Sequence, residues 1–280
     1  MFSWLKKRKK SDTVTKEKVK NIPNFDDKIA KEILAQIKQE YGLDYSKQEY
    51  ITMRKLERFA LKHEIYDFSR LRSLINSTPL AKEQLINMLT VGETYFYREV
   101  GHFKILAELM CEKNITRVLC APSSSGEEAY SILIYIYENY NKNNNLHVTG
   151  IDVNSLSIES AKKGCFSKRS VSFLSDAILN KYFTNSDLKY CINTSFKRNV
   201  TFQQQNIFDA SLQELEKFDV IFCRNMLIYF NDVQKKEAIA NLRALLNPEG
   251  ILFIGHADIS FEPDGFTKVS SLSGSYFKKV

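Results

Sequence analysis

Residues 117–139 read RVLCAPSSSGEEAYSILIYIYEN, and HVTGID follows at 147–152. Arg117–Ala121 is a short apolar run of strand formers, and Pro122-Ser-Ser-Ser-Gly126 interrupts it. A helical stretch, Glu127–Asn139, comes next, and the second strand is His147–Asp152. Outward from this unit the pattern repeats. A helix over Ser157–Lys163 and strands over Val200–Gln205 and Asp219–Cys223 are predicted, then a helix over Asp232–Leu246. The turn Asn247-Pro-Glu-Gly250, a strand Ile251–Gly255 and one edge strand within 266–280 complete the series. Strand and helix alternating at this spacing imply an α/β fold, a mainly parallel sheet covered on both faces. Residues 165–199 fit the alternation poorly and read as a small inserted subdomain.

Before this unit, residues 24–90 read as helical. Ile29, Ile33, Leu34 and Ile37 form the stripe of one amphipathic helix. A second, about 46–63, is expected to turn Ile51, Leu56 and Phe59 inward and to carry Arg54, Arg58 and Lys62 outward, with Lys47 and Lys55 near. Two shorter helices are predicted around 67–76 and 79–89. The basic ridge is a solvated face or a dock for an acidic helical partner. The division expected is a disordered basic tail over 1–22, a helical domain over 23–90 and the sheet domain over 91–280, with its insert at about 165–199.

The composition of the 280 residues is that of an ordinary globular chain, 44% hydrophobic and 26% charged. The longest apolar run, Ile132–Tyr137, is far short of the roughly 18 residues of a membrane span. Residues 1–20 carry +6 of the net charge of +7, so the remaining 260 residues hold only +1. A body-wide basic field, the footprint of a nucleic-acid binder, is therefore absent. The start, Met-Phe-Ser-Trp-Leu before its Lys/Arg run, reverses the order of a secretory signal. It reads first as a solvated tail, and alternatively as one drawn weakly to an anionic membrane surface. Five cysteines (Cys111, Cys120, Cys165, Cys191, Cys223), without a C-x-x-C pair, read as free thiols of a reducing, cytoplasmic compartment. Four histidines, none at ligand spacing, argue against a metal site.

In an open parallel sheet, ligands bind beyond the carboxyl ends of the strands. Those ends are the Ser123–Glu128 loop, Asp152, Asn206 and Arg224-Asn225. The loop has a single glycine, Gly126, followed by Glu127 and Glu128, a poor cradle for phosphates and a good one for a cation. Asp152 ends its strand where an acid accepts bonds from ribose hydroxyls. An adenosyl sulfonium, S-adenosylmethionine, meets both conditions, with S-adenosylhomocysteine as product.

Five segments carry a resemblance: Gly92-Glu-Thr-Tyr-Phe-Tyr-Arg98-Glu99, Ser125-Gly-Glu-Glu-Ala-Tyr-Ser131-Ile, Gly150-Ile-Asp152-Val-Asn154, Phe218-Asp-Val-Ile-Phe-Cys-Arg-Asn225-Met-Leu-Ile-Tyr-Phe230, and Asn247-Pro-Glu-Gly250 with Gly255-His256-Ala-Asp258. In this order, over about 21–280, the sequence resembles the CheR-type protein-glutamate methyltransferases of bacterial chemotaxis. The resemblance implies a Rossmann-like S-adenosylmethionine-dependent methyltransferase sheet with an all-α N-terminal domain and a small inserted β-subdomain. It implies cofactor contacts at Gly92, Thr94, Arg98, Glu128, Asp152, Asn206, Ile207, Arg224 and Asn225. Arg98 and Tyr229 would face the methyl-transfer centre, and no metal is used. The implied reaction esterifies glutamates on the cytoplasmic helices of chemoreceptors, and the basic ridge Arg54, Arg58 and Lys62 read from helical spacing would steer the protein to them. A monomer without nucleic-acid partners is expected.

Departures accompany the likeness. Gly92 stands where the family usually carries asparagine, and Ala257-Asp258 replaces Ser-Glu. The loop candidate Thr184–Leu188 lacks the glycine of members that grip a receptor pentapeptide, so no such tether is expected. Two other functions compete with this one. A non-catalytic S-adenosylmethionine-sensing or scaffold protein is disfavoured by retained Arg98 and Tyr229. A nucleic-acid methyltransferase is disfavoured by the +1 body and the lack of an Asn/Asp-Pro-Pro-Tyr-like motif.

Overall fold

The computed structural model describes residues 23–90, 92–140, 145–186 and 188–280. The basic start of the chain, read as a solvated or membrane-contacting tail, lies outside them. Four helices come first: α1 Asp27–Tyr41, α2 Glu49–Lys62, α3 Phe68–Ser77 and α4 Pro79–Leu89. Asp26 and Asp67 cap α1 and α3 by accepting from backbone N–H groups of the first turn, each at 2.8 Å. Ala30, Ile33, Leu34 and Ile37 line the buried face of α1. On α2 the inward row is Thr52, Leu56, Phe59 and Ala60. Ile51, expected inward, is 58% exposed instead. It stands about 100° around the helix from Thr52, on the solvent side of that row. Arg54, Arg58 and Lys62 are exposed along α2.

A fifth helix, α5 Gly101–Glu112, has no counterpart among the elements expected from the sequence. The sheet domain then follows as β1 Arg117–Cys120, α6 Glu127–Asn139, β2 His147–Asp152 and α7 Ser155–Lys163. After the insert come β6 Val200–Gln204, β7 Phe218–Cys223, α10 Asp232–Leu245 and β8 Leu246–Ile254, with β9 Phe266–Ser271 and β10 Gly274–Lys279 last. The seven strands lie in the order β6-β2-β1-β7-β8-β10-β9. The first five run parallel, and β10 is antiparallel to both neighbours. The single edge strand expected within 266–280 is therefore a hairpin, broken at Leu272-Ser273.

Successive residues of β1 feed opposite faces. Leu119 joins the apolar layer that holds Leu34, Ile37, Leu56 and Phe59 of the first helices together with Ala238 and Ile239 of α10. Val118 and Cys120 join the layer built with Phe103 and Leu106 of α5, Leu133 of α6 and Ile158 of α7. Strand order reverses at β1, so the crevice between the ends of β1 and β7 is the switch point.

The insert forms a second, antiparallel sheet in the order β3-β5-β4, from β3 Cys165–Ser167, β4 Phe183–Ser186 and β5 Lys189–Ile192. Two short helices accompany it, α8 Asp176–Tyr182 and α9 Thr194–Lys197. Thr184–Ser186, expected in a loop, is strand, and Asp187 of that loop lies outside the described residues. Phe96 packs edge-on against Phe166 and Phe183 at 4.8 and 5.3 Å, and its N–H donates to the Ser170 carbonyl at 2.9 Å. The insert thereby holds the segment 92–99 against the mouth of the crevice.

The expectation of five free thiols fails in this small sheet. Register sets Cys165 directly opposite Cys191, and the two form a disulfide. Their separation of 26 residues hides the pairing in the sequence, because only the β3–β5 register brings them together. Cys120 and Cys223 are buried thiols, and Cys111 is exposed. Alkylation of the denatured, unreduced chain should label three cysteines, and reduction beforehand should raise the count to five. Five labels without reduction would contradict the pairing.

Candidate active site

A cavity of about 340 Å³ opens at the switch point. One wall comes from the strand ends, with Ser123, Asp152, Ile207 and Asn225. The other comes from the start of the chain, with Tyr41, Leu43, Tyr45 and Lys55, and from Thr94 and Arg98 of the segment before α5. All ten residues expected at the cofactor and the reaction centre line it: Gly92, Thr94, Arg98, Glu128, Asp152, Asn206, Ile207, Arg224, Asn225 and Tyr229. Arg54, Arg58 and Lys62 do not line it, whereas Lys55 of the same helix and Lys47 before it do.

Gly126 begins α6 at φ 94°, and a Cβ there would come within 2.9 Å of the Phe202 ring. Only glycine combines that backbone with that contact. The two carboxylates that follow part company. Glu127, expected to face the ligand, turns into the protein and accepts from the Ser125 hydroxyl at 2.7 Å. Glu128 alone reaches the cavity. Its Oε2 lies 3.0 Å from Nη1 of Arg224, while the buried Oε1 has no hydrogen-bond partner among the described residues. Burial raises the pKa of Glu128, and the Arg224 charge opposes that rise.

Asp152 is fastened by two backbone donors, the N–H of Ser124 to Oδ2 and of Asn154 to Oδ1, each at 2.9 Å. Burial still raises its pKa against them. Each oxygen retains a lone pair for a further donor. Asn206 works across the cavity: its amide donates to the Glu40 carbonyl of α1 at 2.8 Å, and its oxygen accepts from the N–H of Phe208 at 3.1 Å. Ile207 beside it is buried.

After β7 the chain passes through Asn225 in the left-handed region, φ 59°. Asp258 fixes this turn. Its carboxylate, wholly buried, accepts from the N–H of Asn225 at 2.6 Å and of Ile228 at 3.2 Å. A Cβ on Gly255 would collide with that carboxylate. In the sequence Asp258 reads only as a departure from the family pattern. Here it sets the backbone that carries Tyr229. Tyr229 in turn accepts on its carbonyl from the N–H of Asp44 at 2.8 Å, closing the cavity against the helical region. That helical wall has no local sequence signal, since its residues come from a turn and one helix face well before the motifs.

Arg98 donates to the Glu93 carbonyl at 3.0 Å and lies 5.6 Å from the centre of the Tyr95 ring. Its neighbour Glu99 turns away to Arg224 at 3.6 Å and His256 at 3.3 Å, so it forms no salt bridge with Arg98. His102 lies 3.9 Å from the same carboxylate oxygen, its ring stacked 5.7 Å from that of His256. Burial first, and Arg224 second, push His102 down to about 4. The native protein thus keeps this imidazole neutral where an unfolded one, near 6.5, takes up a proton. Its contribution to stability is complete above pH about 6.5 and is lost as pH falls towards about 4. Across that window the wild type should lose up to about 3 kcal/mol more than His102→Gln in urea denaturation. Identical pH dependence in the two proteins would show that His102 titrates as in the unfolded chain.

The family described as "CheR methyltransferase, SAM binding domain" matches residues 92–274, a span that takes in every cavity residue of the sheet domain. A chemotaxis protein methyltransferase of Campylobacter jejuni subsp. jejuni is 34% identical over 252 residues, covering 89% of this chain and 95% of that protein. Chemotaxis protein methyltransferase 2 of Vibrio cholerae is 35% identical over 227 residues, 76% of this chain and 78% of the relative. The chemotaxis protein methyltransferase of Salmonella typhimurium is 30% identical and spans 69% of each chain. With a match over most of its length and a cavity lined by the matched strand ends, the chain belongs to the CheR methyltransferase family.

Proposed function

We propose that the protein transfers a methyl group from S-adenosylmethionine to glutamate side chains on the cytoplasmic helices of chemoreceptors, giving glutamate methyl esters. The observation that carries this reading is the presence in one cavity of carboxylates at the strand ends and of a cation on the segment that covers them. Glu128 and Asp152 line the strand-end wall, and Arg98 lines the wall from the preceding segment, with Lys47 and Lys55 beyond it. The donor set suits the cofactor. Glu128 Oε1, without a hydrogen-bond partner among the described residues, would accept from the α-ammonium group, and Asp152 has lone pairs left for ribose hydroxyls. Apolar Ile207 beside Asn206 would pack against the adenine, with Gly92, Thr94 and Asn225 closing around the ligand. Bound there, S-adenosylmethionine supplies a methyl group activated by an adjacent sulfonium charge.

The chain's own tasks are orientation and exclusion of water. A glutamate acceptor, with pKa about 4.3, is already ionised at neutral pH, so no side chain has to remove a proton. A carboxylate oxygen gains a bond to the methyl carbon as the sulfur–carbon bond breaks, and the two opposite charges disappear together. Arg98 would orient the incoming carboxylate at about 3–3.5 Å from the methyl carbon, and Tyr229 would hold it by a hydrogen bond or by packing. Tilted over Tyr95 and tied to the Glu93 carbonyl, the guanidinium is shared between a ring face and one acceptor. That sharing would orient the nucleophile without fully neutralising it.

Relatives named chemotaxis protein methyltransferases support the receptor as acceptor. The exposed ridge Arg54, Arg58 and Lys62 would draw acidic receptor helices to α2, whose other flank sends Lys55 into the cavity. Reversing Arg58 and Lys62 to glutamate should lower kcat/KM for receptor methylation on the order of tenfold at low salt. Binding of S-adenosylhomocysteine should stay unchanged. Unaltered methylation would remove the ridge from docking. With tritiated S-adenosylmethionine and receptor-containing membranes, label should enter protein and leave as methanol in mild alkali. Arg98→Ala should reduce that transfer by about 100-fold or more. Label that resists alkali, or that enters equally with Arg98→Ala, would overturn the proposed chemistry.

A further inference from the structure

We infer that Glu99 is a positioning residue for methyl transfer, holding Arg98 over the cavity through the buried guanidinium of Arg224. The inference rests on the role proposed above for Arg98. It starts from the backbone. Arg98 sits between two residues in the left-handed region, Tyr97 at φ 61° and Glu99 at φ 52°. Side chains other than glycine adopt that region at a cost, so surrounding contacts must hold it.

On one side the N–H of Tyr97 donates to the Ser131 hydroxyl at 3.0 Å, and Ser131 is itself bonded to the Glu127 carbonyl at 2.6 Å. On the other side Arg224 Nη2 donates to the carbonyl of Arg98 itself at 2.5 Å. The aim of Arg98 thus depends on the orientation of Arg224.

Arg224 has a side chain only 1% exposed and lies 5.5 Å from the Phe103 ring centre. A planar guanidinium is oriented by what meets each of its edges. Nη2 donates to the Arg98 carbonyl, whereas Nη1 lies 3.0 Å from Glu128 and Nε 3.6 Å from Glu99 as ion pairs without hydrogen-bond geometry. Glu99 is met in its turn by His256 from the loop after β8 at 3.3 Å. Without its charge, Glu128 would be left as the one carboxylate facing Arg224 among the described residues. The guanidinium would swing towards that carboxylate and release the Arg98 carbonyl. Glu99 does not line the cavity, so it reaches the reaction only through its neighbours.

A double-mutant cycle on receptor methylation tests this, using wild type, Arg98→Ala, Glu99→Gln and the double variant, each checked by thermal melting. Glu99→Gln should lower kcat on the order of tenfold, and the double variant should be no slower than Arg98→Ala alone. Glu99→Asp, which keeps the charge, should recover most of the lost kcat. Losses that multiply in the double variant would overturn the inference, as would a wild-type rate for Glu99→Gln or no recovery with Asp. Should Glu99→Gln fail to fold, Glu99→Asp takes its place in the cycle. The smaller loss expected of Asp should then vanish in the Arg98→Ala background, and a loss that persists there would overturn the inference. A wild-type rate for Arg98→Ala would instead overturn the role of Arg98, and this inference with it.

Discussion

A buried positive charge has to be matched inside the protein, and the guanidinium of Arg224 imposes that demand on four groups at once. Moving an ion out of water costs several kcal/mol unless opposite charges and acceptors surround it. Glu128 at the start of α6, Glu99 before α5, the carbonyl of Arg98 and the face of Phe103 meet the demand. The end of β7, where Arg224 sits, is thereby tied to the first turn of α6 and to the segment that covers the crevice. The same contacts hold Glu128 at the cavity, so the anchor of the site also shapes its charge.

The helical start of the chain completes the cavity rather than standing apart from it. Its inner faces share one apolar layer with β1, β7, β8 and α10. Polar ties then align the shared wall: Asn206 to the Glu40 carbonyl, Gln234 to the Lys38 carbonyl, and Asp44 to the Tyr229 carbonyl. Buried donors and acceptors that are paired in this way specify one placement of the two layers. Lys55 and Tyr45 reach the cavity because of that placement, on the same helix and turn whose outer side carries the basic ridge. Docking an acidic partner and presenting a carboxylate to the cavity would then be properties of one element.

The inserted sheet has a comparable part. Its disulfide joins β3 to β5, and the rings of Phe166 and Phe183 grip Phe96. Ion pairing of Arg169 with Glu93 at 2.9 Å and the contact of Tyr95 with Phe173 extend the grip along the segment that bears Thr94 and Arg98. A segment with two residues in the left-handed region gains its single conformation from such outside contacts.

What the sequence determined by itself was local or periodic. Apolar strands alternating with helices specified a parallel sheet, and polar residues at strand ends specified where its ligands lie, because period and strand end are properties of short segments. The motif around Gly126 and that around Arg224 were legible for the same reason. Ile51, Glu127 and the cysteines run against their sequence-based expectation because orientation on a helix, the turn of one carboxylate and a cross-strand pairing depend on packing. The ties from Arg224 to Arg98 span 126 residues, and Asp258 reaches Asn225 across 33. Only the tertiary structure could decide these, since a buried charge selects its partners from whatever the folded layers bring within reach.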